Sequence, residues 1–201
     1  DKGDFSTAGW VDFKTKDVLE KNTAKVEMGQ YDTYRIFSAV DLLSQRAKDK
    51  GTSAYLASEY NFSNSYFDAP QRFKRFNAVG KFNSKLGTNN LFNAAISTFS
   101  SSWNHSGQIP DRSVNAGDIS FFGAIDDTEG GKTSRTNVNL KLTMPNSKGL
   151  MTHQVFYSNY NFELFSNFTF FLNDPIHGDQ IKQKENRNIL GYNGSYTTET
   201  K

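Results

Sequence analysis

MTHQVFYSNYNFELFSNFTFF, residues 151–171, is the stretch whose reading decides the fold class. Its even positions run Phe156, Ser158, Tyr160, Phe162 and Leu164; its odd positions run Val155, Tyr157, Asn159, Asn161 and Glu163. A change of character at every second residue is the repeat of a β-strand, whose side chains point alternately to two faces. The aromatic set is therefore expected on one face and the wet set on the other. The run is long for a strand, since soluble sheets usually use about 5–6 residues. About 9–11 tilted residues already cross a bilayer. A strand of this length predicts a transmembrane strand that rises past the membrane surface.

Working outward, the same alternation recurs. Residues 136–143 set Val138, Leu140 and Leu142 against Asn137, Asn139 and Lys141, and residues 188–198 set Leu190, Tyr192, Gly194 and Tyr196 against Asn193, Ser195 and Thr197. Upstream, residues 91–103 place Phe92, Ala94 and Ile96 opposite Asn93, Ala95 and Ser97. Residues 72–84 place Phe76, Ala78, Gly80 and Phe82 opposite Arg75, Asn77, Val79 and Lys81. Residues 52–63 alternate likewise, and residues 23–30 and 33–42 read as a hairpin turning at Tyr31-Asp32. Residues 44–51 read as a charged turn, with a short helix over 42–48 as the competing reading. The wet positions Arg75, Lys81, Asn93, Asn139, Lys141, Asn159 and Glu163 are expected to face a lumen, because the opposite positions of the best-defined strands carry essentially no charge.

The connections differ in length. Residues 87–90 and 145–149 are short turns, whereas residues 104–135 and 173–187 are long loops rich in Gly, Ser, Asn and Asp. Outer-membrane barrels pair short periplasmic turns with long extracellular loops. The fold class expected is therefore all-β: an antiparallel transmembrane β-barrel. Mean hydropathy is −0.66, which is compatible with a barrel because only alternate residues meet lipid. The 18 Phe and 9 Tyr fit interfacial girdles.

Other chemistries find little support. The 23 Lys and Arg are nearly balanced by 21 Asp and Glu, with no basic stripe for nucleic acid. There is no cysteine, hence no disulfide framework or thiolate metal site. No apolar run approaches a membrane helix. Gly130-Gly131-Lys132-Thr133-Ser134 echoes half a P-loop, but Asp126 stands where its first glycine belongs. Asp126, Asp127 and Glu129 lack the EF-hand order, with Thr128 at a ligand position, and read as a solvated acidic turn. His105, His153 and His177 lie far apart, without zinc spacing, and no nucleophile elbow is present. Neither a catalytic constellation, nor a metal, nor a cofactor is expected.

Three segments resemble TonB-dependent outer-membrane receptors. Gly3-Asp4-Phe5-Ser6-Thr7-Ala8-Gly9-Trp10-Val11-Asp12-Phe13 is similar to the last strand of a plug domain just before the barrel. Thr98-Phe99-Ser100-Ser101-Ser102-Trp103, followed by Ser106-Gly107-Gln108-Ile109-Pro110-Asp111-Arg112, resembles a barrel strand entering a long outer loop. Phe122 to Gly131 and Tyr160-Asn161-Phe162-Glu163-Leu164 continue the similarity. The resemblance implies that residues 1–17 end a plug and residues 18–201 begin a barrel. About eight strands of a 22-stranded wall would be present. It implies a cell outer membrane location and active uptake of a nutrient such as a siderophore, carbohydrate or peptide. The implied partners are a TonB energy-transducing complex reached through a segment absent here, an extracellular ligand, lipopolysaccharide and bilayer, and a lid lipoprotein or larger membrane assembly. Trp103, Arg112, Phe121, Phe122 and Arg135, in or beside the largest loop, are the candidate ligand contacts, since aromatic and arginine side chains suit sugar, chelate or peptide recognition. The alternatives are a complete small outer-membrane barrel with an adhesive or structural role, and a soluble β-sandwich binding module.

Overall fold

A computed structural model describes Gly9 and residues 14–198. Apart from Gly9, the plug-like segment at residues 3–13 lies outside the described residues, as do Glu199, Thr200 and Lys201. The chain forms β1 (Thr23–Gly29), β2 (Thr33–Asp41), α1 (Gln45–Asp49), β3 (Ser53–Ser63), β4 (Phe73–Leu86), β5 (Asn90–Asn104), α2 (Asp111–Ala116), β6 (Gly130–Asn146), β7 (Gly149–Ser166) and β8 (Ile181–Thr197). The eight strands make one antiparallel meander in sequence order. Its edges, β1 and β8, do not pair with each other, so the sheet is open. Among the described residues no helix is long and apolar enough to cross a membrane.

Local chemistry explains the turns. Tyr31 and Asp32 have φ of 60° and 54°, the left-handed pair that matches the twist of a two-stranded ribbon. Thr33 N–H closes that turn on the Gln30 carbonyl at 3.1 Å. At the β6–β7 turn the Asn146 side chain accepts the Lys148 N–H at 2.8 Å, an Asx turn. One end of the sheet carries connections 42–52, 87–89 and 147–148; the other carries 30–32, 64–72, 105–129 and 167–180. Three of the four connections at this second end are long, while α1 lengthens one connection at the first.

The register assigns faces, because directly opposed residues of antiparallel strands point the same way. One row crosses Val40, Leu56, Gly80, Ile96, Val138, Tyr157 and Leu190. The next row toward the short-turn end crosses Ala54, Phe82, Ala94, Leu140, Val155 and Tyr192. On β1 to β4 the apolar set extends instead toward the long-loop end, through Val26, Ile36, Tyr60 and Phe76. Straight across from Phe76 stand Ser100, Ser134, Asn161 and Asn186. The apolar belt thus runs obliquely to the register. No belt position carries a formal charge. Many of its residues are exposed, among them Ile96 by 53%, Leu140 by 42% and Leu190 by 77%.

The opposite, polar face carries Arg75, Lys81, Asn93, Asn139 and Lys141 together. Asn159 and Glu163 do not join them. Asn159 opposes Thr136 and Glu163 opposes Lys132, on the face of Val138 and Leu140. The aromatic positions of β7 are correspondingly on the polar face: Phe156 opposes Asn139, Tyr160 opposes Arg135, and Phe162 opposes Thr133. Arg135 lies 5.0 Å over the Tyr160 ring, and Tyr160 stacks on Phe162, so cation–π and ring contacts hold these aromatics among polar neighbours. Phe162 is therefore on the opposite face from Phe76, Ile96 and Leu140. Two loop boundaries also move. Residues 130–135 belong to β6 and residues 181–187 to β8, while residues 167–171 leave β7 for the loop. Those strand ends are polar on both faces, so no alternation marks them; their backbone ladder makes them strands.

Candidate functional site

Two regions gather functional side chains: the polar face near the short-turn end, and the loops of the opposite end. On the polar face a strap of residues 15–17 lies against β3 and β4. Tyr55 donates its hydroxyl to the Lys16 carbonyl at 2.9 Å. Ser53 and Asn83 donate to the Asp17 carbonyl at 2.9 and 2.7 Å. Lys81 donates to the Thr15 carbonyl at 3.0 Å and pairs with the Asp17 carboxylate at 2.7 Å. Most of these bonds reach main-chain oxygens, so the wall fixes the path of the strap largely independently of its sequence. Tyr55 is 5% exposed, one of two buried apolar side chains among the described residues, with Ala39. Further along the same face, Glu59 accepts Arg35 Nε at 2.6 Å and Asn77 at 3.2 Å, and Arg75 approaches at 3.4 Å. Arg35 also reaches Glu27 at 2.8 Å, so one charged chain ties β1, β2, β3 and β4.

At the long-loop end, backbone bonds stitch the strand exits. Asn64 N–H donates to Tyr31 O, Gln71 N–H to Asn64 O, and Asn104 N–H to Gln71 O, at 2.9, 2.9 and 2.7 Å. Above this seam sits an aromatic cluster. Phe122 meets Tyr66 at 5.3 Å and Phe67 at 6.1 Å between ring centres, both edge-on; Tyr66 contacts Tyr31 at 6.3 Å, and Phe121 contacts Phe122 at 5.1 Å. The Asp68 N–H donates to the Phe122 carbonyl at 3.1 Å, and Ser120 donates to the Asp68 carboxylate, which locks loop 105–129 onto loop 64–72. Phe121 stays 73% exposed, a ring held out in solvent by an ordered base.

A polar network lies beneath loops 105–129 and 167–180. Glu129 is 2% exposed and Asn167 4% exposed. Glu129 Oε2 accepts the Asn167 main-chain N–H at 3.1 Å, with His105 Nδ1 at 3.8 Å. Asn167 Nδ2 donates to Asp126 at 2.9 Å, and Gln180 donates to Thr128 at 2.9 Å. Partial burial alone would raise the Asp126 carboxyl, but the hydrogen bonds from Asn167, Thr128 and Gln180 outweigh it and hold Asp126 below the usual carboxylate value. Among the described residues no group of three His, Cys, Asp or Glu is arranged to hold a metal.

The five candidate contacts do not form one group. Phe121 and Phe122 meet in the aromatic cluster. Arg112 is exposed on α2. Trp103 is on β5 and Arg135 on β6, both on the polar face and separated by two register rows. Tyr31, Tyr66 and Phe67, which complete the cluster, are missed by sequence reasoning; Tyr66-Phe67 just before the Asp68-Ala69-Pro70 break is the signal available for two of them. Glu129 was visible as an acidic residue, but its burial and its Asn167 contact come only from the fold.

No family model matches the chain, and no curated protein or solved structure is similar to it.

Proposed function

We propose that this chain forms part of the wall of an outer-membrane β-barrel that acts as a receptor and transporter, taking up a nutrient with energy from a TonB complex. The observation that carries the reading is the oblique, charge-free and exposed apolar belt across all eight strands. Leaving a Val, Leu, Ile or Phe side chain in water forgoes about 1.5–3 kcal/mol. A dozen such side chains, each about half exposed, forgo roughly 9–18 kcal/mol, comparable to the ~5–15 kcal/mol net stability of a domain. A hydrocarbon cover removes that deficit. On β6 the belt runs from Val138 to Met144, about 20 Å along the strand and roughly 15 Å in height at a barrel's tilt, which fits within the ~25 Å apolar band of a barrel.

Other features agree. β4 to β8 have 14 to 18 residues each, long enough to cross and project. The long connections gather at one end. The strap 15–17 lies on the polar face, which supports reading that face as the one turned toward a lumen. The edges are mismatched: β1 offers 7 residues against 17 on β8, so direct closure of one on the other would leave most of β8 unpaired. That mismatch counts against a complete small barrel, and the bare belt counts against a soluble sandwich. Aromatics of the loop end would present the ligand surface.

Residues 1–201 contain no cysteine, so each introduced thiol here is unique within this segment. Single cysteines at Ile96, Leu140 and Val155 are expected to resist a membrane-impermeant maleimide in native membranes, while cysteines at Asn139 and Lys141 react. Fast labelling of all three belt positions overturns the membrane reading. Loss of ligand-dependent growth on deletion of the energy-transducing complex tests the transport step separately.

A further inference from the structure

The polar knot where β6 begins holds two oxygens that the fold leaves unsatisfied. Glu129 Oε1 and Asn167 Oδ1 are buried without a hydrogen-bond partner among the described residues, on side chains 2% and 4% exposed. They flank one hydrogen bond. Asn167 gives its main-chain N–H to Glu129 Oε2 at 3.1 Å and its amide Nδ2 to the Asp126 carboxylate at 2.9 Å, so it stands between two carboxylates. Gly107, with φ of 64°, crosses beside Glu129, and a Cβ there would overlap Oε1. Glycine at 107 keeps that side of the carboxylate open.

The Glu129 charge is also unanswered. Among the described residues the basic group within 4 Å of it is His105, whose Nδ1 lies 3.8 Å from Oε2. That nitrogen accepts the Gly107 N–H at 3.0 Å, so its lone pair is engaged and it has no proton to give Glu129. A buried carboxylate short of both a counter-charge and donors is costly to a fold. Two orphaned acceptors on either side of one bond call for an electrophile that both can share.

We propose that this junction binds a hard divalent cation, calcium in preference to magnesium, through Glu129 Oε1 and Asn167 Oδ1, with water completing the shell. The inference stands on this loop junction alone and does not depend on the membrane reading. The donors select the ion. They are carboxylate and amide oxygens, with no thiolate and no free imidazole nitrogen, which disfavours zinc and copper. Calcium accepts about 6–8 oxygens in flexible geometry, from carboxylates, Asn carbonyls and water, whereas magnesium demands a near-ideal octahedron and sheds water reluctantly. Among the described residues no group of three acidic or histidine ligands forms, and Asp127, next but one to Glu129, is exposed. So few charged ligands put the affinity in the weak range, with Kd of about 10⁻⁴–10⁻³ M. The ion would tie the start of β6 to the exit of β7, and so hold loop 167–180 at the sheet.

The purified full-length protein supplies the test, with calcium, magnesium and terbium as probes. Terbium takes the oxygen sites of calcium and emits when a nearby indole is excited. Trp103 lies over Gly131, two residues and about 7 Å along the strand from Glu129. Indole-excited terbium emission is expected to saturate and to be displaced by millimolar calcium but not by equal magnesium. Gln keeps an acceptor for the Asn167 N–H, so E129Q removes the charge and leaves the loop anchor; it is expected to weaken binding about tenfold or more. D127N makes the same change of charge at an exposed position and is expected to weaken binding less than about twofold. In W103F the emission is expected to vanish while calcium still slows proteolysis of loop 167–180 several-fold. Proteolysis of the unmutated protein that ignores calcium would mean that a water, or a proton on Glu129, satisfies the two oxygens, and overturns the assignment. Equal weakening by E129Q and D127N overturns it too, since that marks diffuse attraction to an acidic surface.

Discussion

Glu129 Oε2 accepts the main-chain N–H of Asn167 at 3.1 Å across 38 residues of chain, and it does so from a side chain that is 2% exposed. The bond joins the start of β6 to the residue that leaves β7, so it sets how loop 167–180 departs from the sheet. Glu129→Ala would leave that N–H buried without an acceptor, at a cost of about 1–3 kcal/mol. Limited proteolysis should then cut loop 167–180 several-fold faster while the strands resist as before. An unchanged cleavage rate in this variant would show that the loop is held elsewhere.

Within that loop the Asp179 carboxylate accepts the Asn173 N–H at 2.9 Å, the Thr169 hydroxyl at 2.7 Å and the Asp174 N–H at 2.8 Å. The Asn173 main-chain bond, followed by the Thr169 bond, holds its carboxyl below the ordinary value. Asp174 is lowered by the His177 and Ile176 main-chain N–H groups in the same way. A depressed folded pKa contributes ordering that is complete above the unfolded carboxylate value of about 4 and disappears as pH falls through the folded value. Hydrogen-exchange protection of Asn173 and Asp174 should be flat from neutral pH down to about 4 and fall below it. Asp179→Asn should weaken protection at neutral pH and remove the acid step.

Gly130 begins β6 with φ of 155°, and a Cβ there would lie 2.3 Å from the Trp103 carbonyl oxygen and 2.9 Å from Asn104 Cα. Both obstacles are backbone, which cannot rotate aside. Gly130→Ala is expected to open the β5–β6 pairing at its loop end and to cost about 1–3 kcal/mol. Exchange protection of His105, whose N–H donates to the Glu129 carbonyl at 3.1 Å across this pairing, reads the change; normal protection there would mean that the strand shifts register by local adjustment.

These sites show where the sequence speaks and where it falls silent. Ile96, Leu140 and Leu190 alternate with Ser97, Lys141 and Asn193, and contrast of that kind marks both strand and face. Residues 181–187 have no such contrast, because both faces of that strand end are hydrated, and they passed for loop. β7 carries rings at Tyr160 and Phe162 beside Asn161 and Glu163; its own pattern suggests one orientation, and only the register with β6 fixes the other. Phe121 and Phe122 were legible as loop aromatics. Their meeting with Tyr66 and Phe67, like the Glu129–Asn167 bond, depends on which loop exits the topology sets side by side.

Glu59 offers a test of how the wall itself is held. It is 17% exposed and bonds Arg35, Arg75 and Asn77 from β2 and β4, while Arg35 keeps a second carboxylate in Glu27. Glu59→Gln retains an acceptor but removes the charge that two guanidiniums share, so Arg75 loses its ionic partner and Arg35 keeps one. Arg35→Met leaves Glu59 with the longer Arg75 and Asn77 contacts at 3.4 and 3.2 Å. Each single variant is expected to lower stability by about 1–2 kcal/mol, with a coupling energy of about 1 kcal/mol in the double-mutant cycle. Unfolding of the purified protein in denaturant provides all four values. Strict additivity would mean that screening by neighbouring charges, rather than the Arg35–Glu59 contact, carries the stabilisation of β1 to β4 on this face.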